Sequence, residues 1–262
     1  MTVSAVQFQA AVDELTGGLR DLRLHLGRVG PATTAAANNP ILPPKVGQLV
    51  LSVGEKLVEL GSWLLEKITE LLKGAVAPGY FIAMGLDWQD VRGLASGVAG
   101  DLKPEALEVG RLWQGSAAAA YARQIPPQVA AASRIAAVAD KTATGLLVCA
   151  GAGLAFYLAL AVIVTKFIVA LVAAIATLGS VVFSWAGLLL VVEEAGVNTG
   201  MVIAAASALV ALLGVQAQQM VALHGEAVDA AAFPCGQWPN ARADQFSDAT
   251  VTDGDADWSV KG

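Results

Sequence analysis

Charged side chains are scarce in this sequence: Asp, Glu, Lys and Arg make up 15% of its 262 residues, against about 25% in ordinary soluble domains. Aromatic residues are few as well, at 6%, yet hydrophobic residues reach 56%. The surplus is therefore alanine, valine and leucine, a vocabulary that favours helices over β-structure. So much apolar surface has to meet lipid, a partner or an unusually large core. No basic stripe is present and the net charge is −6, which speaks against nucleic acid as a partner.

Residues that do chemistry are equally sparse. The two histidines, His25 and His224, belong to no His-x-x-x-His or mixed His/Cys spacing, so no metal site is expected. Cys149 and Cys235 stand far apart, and Cys149, at the start of an apolar run, reads as a buried thiol. There is no Gly-x-Ser-x-Gly elbow, phosphate loop or dinucleotide fingerprint, and the expectation is a protein without catalytic activity, cofactor or metal. Met1-Thr-Val-Ser-Ala has neither a basic nor an apolar leader character, so no Sec-type signal peptide is read there.

What is present is a succession of helical patterns. Val3 to Val29 places Val6, Phe8, Val12, Leu15, Leu19, Leu22 and Leu26 at three-to-four spacing, which predicts an amphipathic helix. Gly30 to Pro44 reads as punctuation. Lys45 to Leu72 predicts a second amphipathic helix, with Val46, Leu49, Val53, Leu57, Leu60, Leu64, Ile68 and Leu71 on its apolar face and Glu66 to Glu70 relieved by Lys67 and Lys73. Gly74 to Leu86 reads as a connection, followed by a helix capped at Asp87 or Asp90 and restarted at Pro104.

The most distinctive stretch is Leu112-Trp113-Gln114-Gly115-Ser116 followed by Ala117 to Tyr121. Gly115 can adopt a backbone geometry closed to other residues, Ser116 can cap a new helix, and Trp113 can fold back over the junction. Tyr121, Ile125, Val129, Ala132, Ile135 and Val138 then predict a return helix, kinked or interrupted at Pro126-Pro127. Residues 86–145 thus form a helical hairpin hinged at Trp113, Gly115 and Tyr121. This hairpin resembles the WXG100-like proteins associated with type VII (ESX) secretion. The resemblance implies a helical hairpin, export through or association with that machinery, and pairing with a small WXG-like partner. The Tyr-x-x-x-Asp/Glu signal common among those substrates is lacking: no acid stands four residues after Tyr80, Tyr121 or Tyr157.

Behind the hairpin, Leu146 to Val192 carries one formal charge, Lys166. The run is long enough for two membrane crossings, with a turn at Leu178-Gly179-Ser180, an interruption near Glu193-Glu194 and a third apolar helix from Met201 to Leu223. Lys166, Glu193 and Glu194 are the candidate membrane or pore residues. Thirteen of the sixteen Lys and Arg residues precede this block, which would keep the front half cytoplasmic in an inserted protein. Residues 224–262 read as an acidic, flexible tail, and Asp253-x-Asp255-x-Asp257 lacks the glycine and closing glutamate of a calcium loop.

The expectation is therefore an all-α protein: amphipathic helices over 1–85, a WXG-like hairpin over 86–145, apolar helices in a hairpin or a set of three over 146–223, and the tail. The functional expectation is a secreted, type VII-associated protein that inserts into or docks at membranes, with an oligomeric pore as one form. A membrane scaffold retained in the cell and a soluble helical protein covered by a partner stay open as alternatives.

Overall fold

The computed structural model describes residues 5–178, 185–239 and 259–260. It is an all-α protein. The helices are α1 (Ala5–Ala37), α2 (Pro44–Leu72), α3 (Ala77–Asp101), α4 (Val109–Leu112), α5 (Ser116–Leu178) and α6 (Trp185–Ala227), with two short strands, β1 (Trp113–Gln114) and β2 (Ser259–Val260). The chain divides into two compact units that do not follow its linear order: residues 1–82 with 148–215, and residues 83–147 with 216–262. Helices α3, α5 and α6 each contribute to both.

In the first unit α1 and α2 pair as an antiparallel hairpin whose seam repeats every seven residues. Phe8, Leu15, Leu22, Val29 and Ala36 are buried on α1; Val50, Leu57 and Leu64 are buried on α2, alternating with Gly47, Gly54, Gly61 and Ile68. A seven-residue repeat keeps one stripe facing its partner along the whole length of a helix pair. The glycines let the backbones approach: a Cβ on Gly47 would lie 2.8 Å from the backbone oxygen of Ala37, and one on Gly54 would meet the Thr33 side chain. Residues 148–178 of α5 lie on this hairpin. Phe156, Tyr157, Leu160, Ile163, Val164, Phe167 and Leu171 join α1 and α2 in one core, which Val202 of α6 also enters. A Cβ on Gly18 would be 3.0 Å from Val164 and one on Gly61 3.1 Å from Phe167, so α5 runs parallel to α1 and antiparallel to α2.

The second unit has a thinner core. Ala99, Ala117, Ile125, Ala131, Ala132, Ala139, Ala143 and Leu223 are buried, and small residues of this kind permit close helix contact. Polar ties supplement them. Arg92 pairs with Asp140 at 3.2 Å, Lys141 with Glu226 at 2.8 Å, and Arg134 with Asp229 at 3.3 Å and Glu226 at 3.6 Å.

Several boundaries differ from the sequence-based expectation. Helix α1 continues through Gly30-Pro31 to Ala37, because Val29, Thr33 and Ala36 are buried and that burial offsets the backbone bond lost at proline. The Thr33 hydroxyl donates to the carbonyls of Val29 and Gly30, both at 3.0 Å. The expected connection over Gly74 to Leu86 shrinks to residues 73–76: α3 starts at Ala77, with Pro78 in the first turn, where no N–H is required. Asp87 and Asp90 consequently lie inside α3. Pro104 restarts no helix but sits in turns, with Ala106 N–H donating to Lys103 O at 2.9 Å. Pro126-Pro127 does not interrupt α5. Finally, α6 is continuous through Glu193-Glu194 and Gly200, so among the described residues the apolar block supplies two helices, not three; Gly179 and Ser180 of the expected turn lie outside the described residues. Nothing between Trp185 and Ala227 is a proline, and isolated glycines weaken a helix without ending it.

Candidate functional site: the hinge and the apolar helices

The hinge forms where two helices end on each other. After the single turn of α4, Trp113 and Gln114 are extended, Gly115 takes φ = 108°, and α5 begins at Ser116. That φ is open to glycine and costly for residues with a Cβ. The Ala119 N–H donates to the Gly115 carbonyl at 3.1 Å, so Gly115 rather than Ser116 holds the capping position. Trp113 is half-buried and its ring centroid lies 5.7 Å from that of Tyr121 at an interplanar angle of 53°. The aromatic pair thus braces the first turns of α5 against the hinge. A small cavity of about 80 Å³ lies alongside, walled by Pro104, Leu107, Ala118, Tyr121 and Ile125. It is well below the few hundred Å³ of a substrate pocket.

The hinge also carries a contact that the sequence reading missed. β1 pairs antiparallel with β2, Trp113 opposite Val260 and Gln114 opposite Ser259. A two-residue strand leaves no periodicity to read, so no signal could have found it. The tail assigned to 224–262 begins, moreover, inside α6, which ends at Ala227. Asp253, Asp255 and Asp257 lie outside the described residues.

The two apolar helices differ in what covers them. Both are long and apolar enough to cross a membrane. Within Ala117–Leu178 the most apolar window has mean hydropathy 2.7 and is 39% buried; within Gly196–Ala227 the values are 2.0 and 6%. The first helix is in large part core. Tyr157 shows this most clearly: its hydroxyl donates to the Leu71 carbonyl at 2.9 Å, satisfying an acceptor in the last turn of α2, and its ring meets Phe8 edge-on at 5.6 Å. The second helix reaches the core through Val202, with Ala205, Ala206 and Leu209 against it, while Val197, Met201, Ile203, Val210 and Val215 are exposed. An outer face of α5 is bare too, at Val148, Leu158, Val162, Val169 and Val172.

Lys166 stands on that outer face of α5, exposed, four residues after Val162 and three before Val169. Glu193 is exposed on α6; the side chain of Glu194 lies outside the described residues. The structure does not join Lys166 and Glu193: among the described residues neither makes an ion pair. Asn198, one turn further along α6, is 1% exposed, and neither of its side-chain polar atoms has a hydrogen-bond partner among the described residues. His25 is half-buried on α1 and His224 exposed near the end of α6. Among the described residues no three His, Cys, Asp or Glu side chains gather as metal ligands would. Neither a protein-family model, nor a curated protein, nor a solved structure matches the chain.

Proposed function

We propose that the chain is a type VII secretion-associated, WXG-like helical protein that acts at a membrane, docking on or entering the bilayer through α6 and the outer face of α5. The observation that carries this reading is the bare apolar surface of α6. No Asp, Glu, Lys or Arg occurs from Ala195 to Leu223, a length sufficient for one crossing, and only 6% of its most apolar window is buried. Each Val, Ile or Met moved from water into lipid there contributes about 1.5–3 kcal/mol, so the helix gains from any apolar cover. Gly196, Gly200, Ala204 and Ala208 follow one another at four-residue spacing, all exposed, and such lines of small residues suit close helix contact in a bilayer. That spacing is the support for an oligomeric, pore-like form. Association with the secretion system rests on the Trp113-x-Gly115 turn and its resemblance, with a small WXG-like protein as the expected partner.

The deciding measurement is flotation of the purified chain with liposomes of neutral and anionic composition, together with release of an entrapped dye. Native protein floats with the vesicles, and a variant carrying Ile203→Glu and Val210→Glu stays in solution with its helicity retained. A native chain that remains a detergent-free monomer and never floats would sink the membrane reading and favour the soluble alternative, in which a partner helix covers α6. Binding without dye release would leave a docking protein and remove the pore. Secretion is tested separately, by the chain's presence in culture medium with and without the export ATPase.

A further inference from the structure

The face that seats α6 on the first unit has an uncommon composition. From Gly196 to Val215 only Asn198 and Val202 are fully buried, while Ala205, Ala206 and Leu209 lie half-buried against the same core. These five positions follow one another at helical spacing and make one inward face. To that core α5 contributes Phe156, Leu160, Ile163, Val164, Phe167 and Leu171; α6 contributes one valine, three partly covered apolar side chains and an amide. Asn198 is 1% exposed, and among the described residues neither its Oδ1 nor its Nδ2 has a hydrogen-bond partner. A buried amide left unpaired opposes the burial of the face that carries it. An asparagine in an apolar seam fixes helix register when it pairs across the seam; with no partner among the described residues, Asn198 weakens the seam without aligning it.

We propose that Asn198 is a built-in release point, which keeps α6 from Gly196 to Leu209 weakly seated on the first unit so that this stretch leaves for a bilayer when one is offered. The proposal rests on the membrane reading and adds to it the residue that sets how readily α6 lets go. The polarity of the helix is arranged for that exchange. Its inward face holds the amide, while Val197, Met201, Ile203 and Val210 are exposed on the outside. Asn198 also stands in the first turn of the run from Ala195 to Leu223, which holds no Asp, Glu, Lys or Arg. That run is longer than the roughly 20 residues the hydrocarbon layer requires. A crossing centred on it sets Asn198 at the headgroup level, where water and headgroups bond to the amide. The group that is unpaired in the bundle is thus satisfied at the membrane, and this difference is what a bilayer needs in order to shift the equilibrium. Segments that move are drawn from the least stable parts of a fold.

The test uses the full chain. Asn198→Leu replaces the amide with an apolar side chain of similar shape; Asn198→Ala removes it without adding bulk and decides the matter where leucine overpacks the seam. Amide exchange over residues 199–209, followed by mass spectrometry without lipid, should be faster in the native chain than over residues 156–171 of α5. The substitutions should slow it, by about tenfold for Asn198→Leu. Given vesicles of phosphatidylcholine and phosphatidylglycerol, the native chain should float with them, and the variants should associate roughly tenfold more slowly. Native exchange over 199–209 as slow as over 156–171 overturns the proposal, as does exchange that neither substitution slows. Variants that associate at the native rate also overturn it and leave the membrane reading standing, whereas a native chain that never floats removes that reading and the proposal together. Circular dichroism restricts the comparison to chains with intact helices.

Discussion

The glycines of α2 carry more of the fold than any charged residue does. Gly47, Gly54 and Gly61 recur at the seam spacing, and their missing side chains are where α1 passes closest. A methyl group at Gly47 would meet backbone, the Ala37 carbonyl at 2.8 Å, and backbone cannot rotate aside. Gly47→Ala is therefore expected to lower stability by about 1–3 kcal/mol, although the same change in an open helix raises it by about 0.5–1 kcal/mol. Gly27 on α1 provides the matched comparison, since nothing lies within 4 Å of the site a Cβ would take. Urea unfolding midpoints of Gly47→Ala and Gly27→Ala should move in opposite directions. A seam of glycines was present in the sequence all along, at 47, 54 and 61. It was not legible because an apolar face is recognised by its large residues, and a glycine on that face reads as a weakness in the helix.

Element by element, the sequence predicted helix type well and helix ends poorly. The end of α1 is the instructive case: Pro31 and the Asn39-Pro40 step both signal a stop, yet only the second one ends the helix, because burial of Val29, Thr33 and Ala36 outweighs one missing backbone bond. The relief of Glu70 by Lys67 on α2, in contrast, was legible in the sequence. Glu70 accepts a hydrogen bond from Lys67 at 2.8 Å, and that bond, with the charges of Lys67 and Lys73 behind it, holds the Glu70 carboxyl below its ordinary value of 4.5. A lowered carboxylate stabilises the folded state at pH above 4.5, and the contribution is lost as pH falls through the lowered value. The pair is solvent-exposed, so the effect on stability is small, but the titration itself is measurable. The Glu70 carboxyl carbon should titrate by NMR with a midpoint below 4.5, and Lys67→Met should return it most of the way, more than Lys73→Met does.

At the scale of the whole molecule, two stretches of similar hydropathy have different positions. Residues 148–178 of α5 are wedged onto the α1–α2 hairpin, where Phe167 is 1% exposed. Phe167→Ala is expected to cost about 3–5 kcal/mol of stability and to lower the midpoint of thermal unfolding, whereas Ile203→Glu on α6, at a position 55% exposed, should leave that midpoint nearly unchanged. The two measurements together separate core from free surface in helices that composition cannot tell apart. A loss of stability at Ile203 as large as that at Phe167 would show that α6 is covered in solution.

The sequence by itself determined the helical class, the amphipathic faces of the first two helices, the break at Trp113-Gln114-Gly115 and the charge-poor character of the second half. Each of these is a local property: a composition, a period, or a residue whose backbone freedom is its own. Only the tertiary structure decided which apolar helix becomes core and which stays bare, that α6 runs unbroken through Glu193-Glu194, and that the distant C-terminal residues lie against the hinge. Those outcomes depend on which surfaces find partners across long stretches of chain, and hydropathy measures the demand for a partner without naming one.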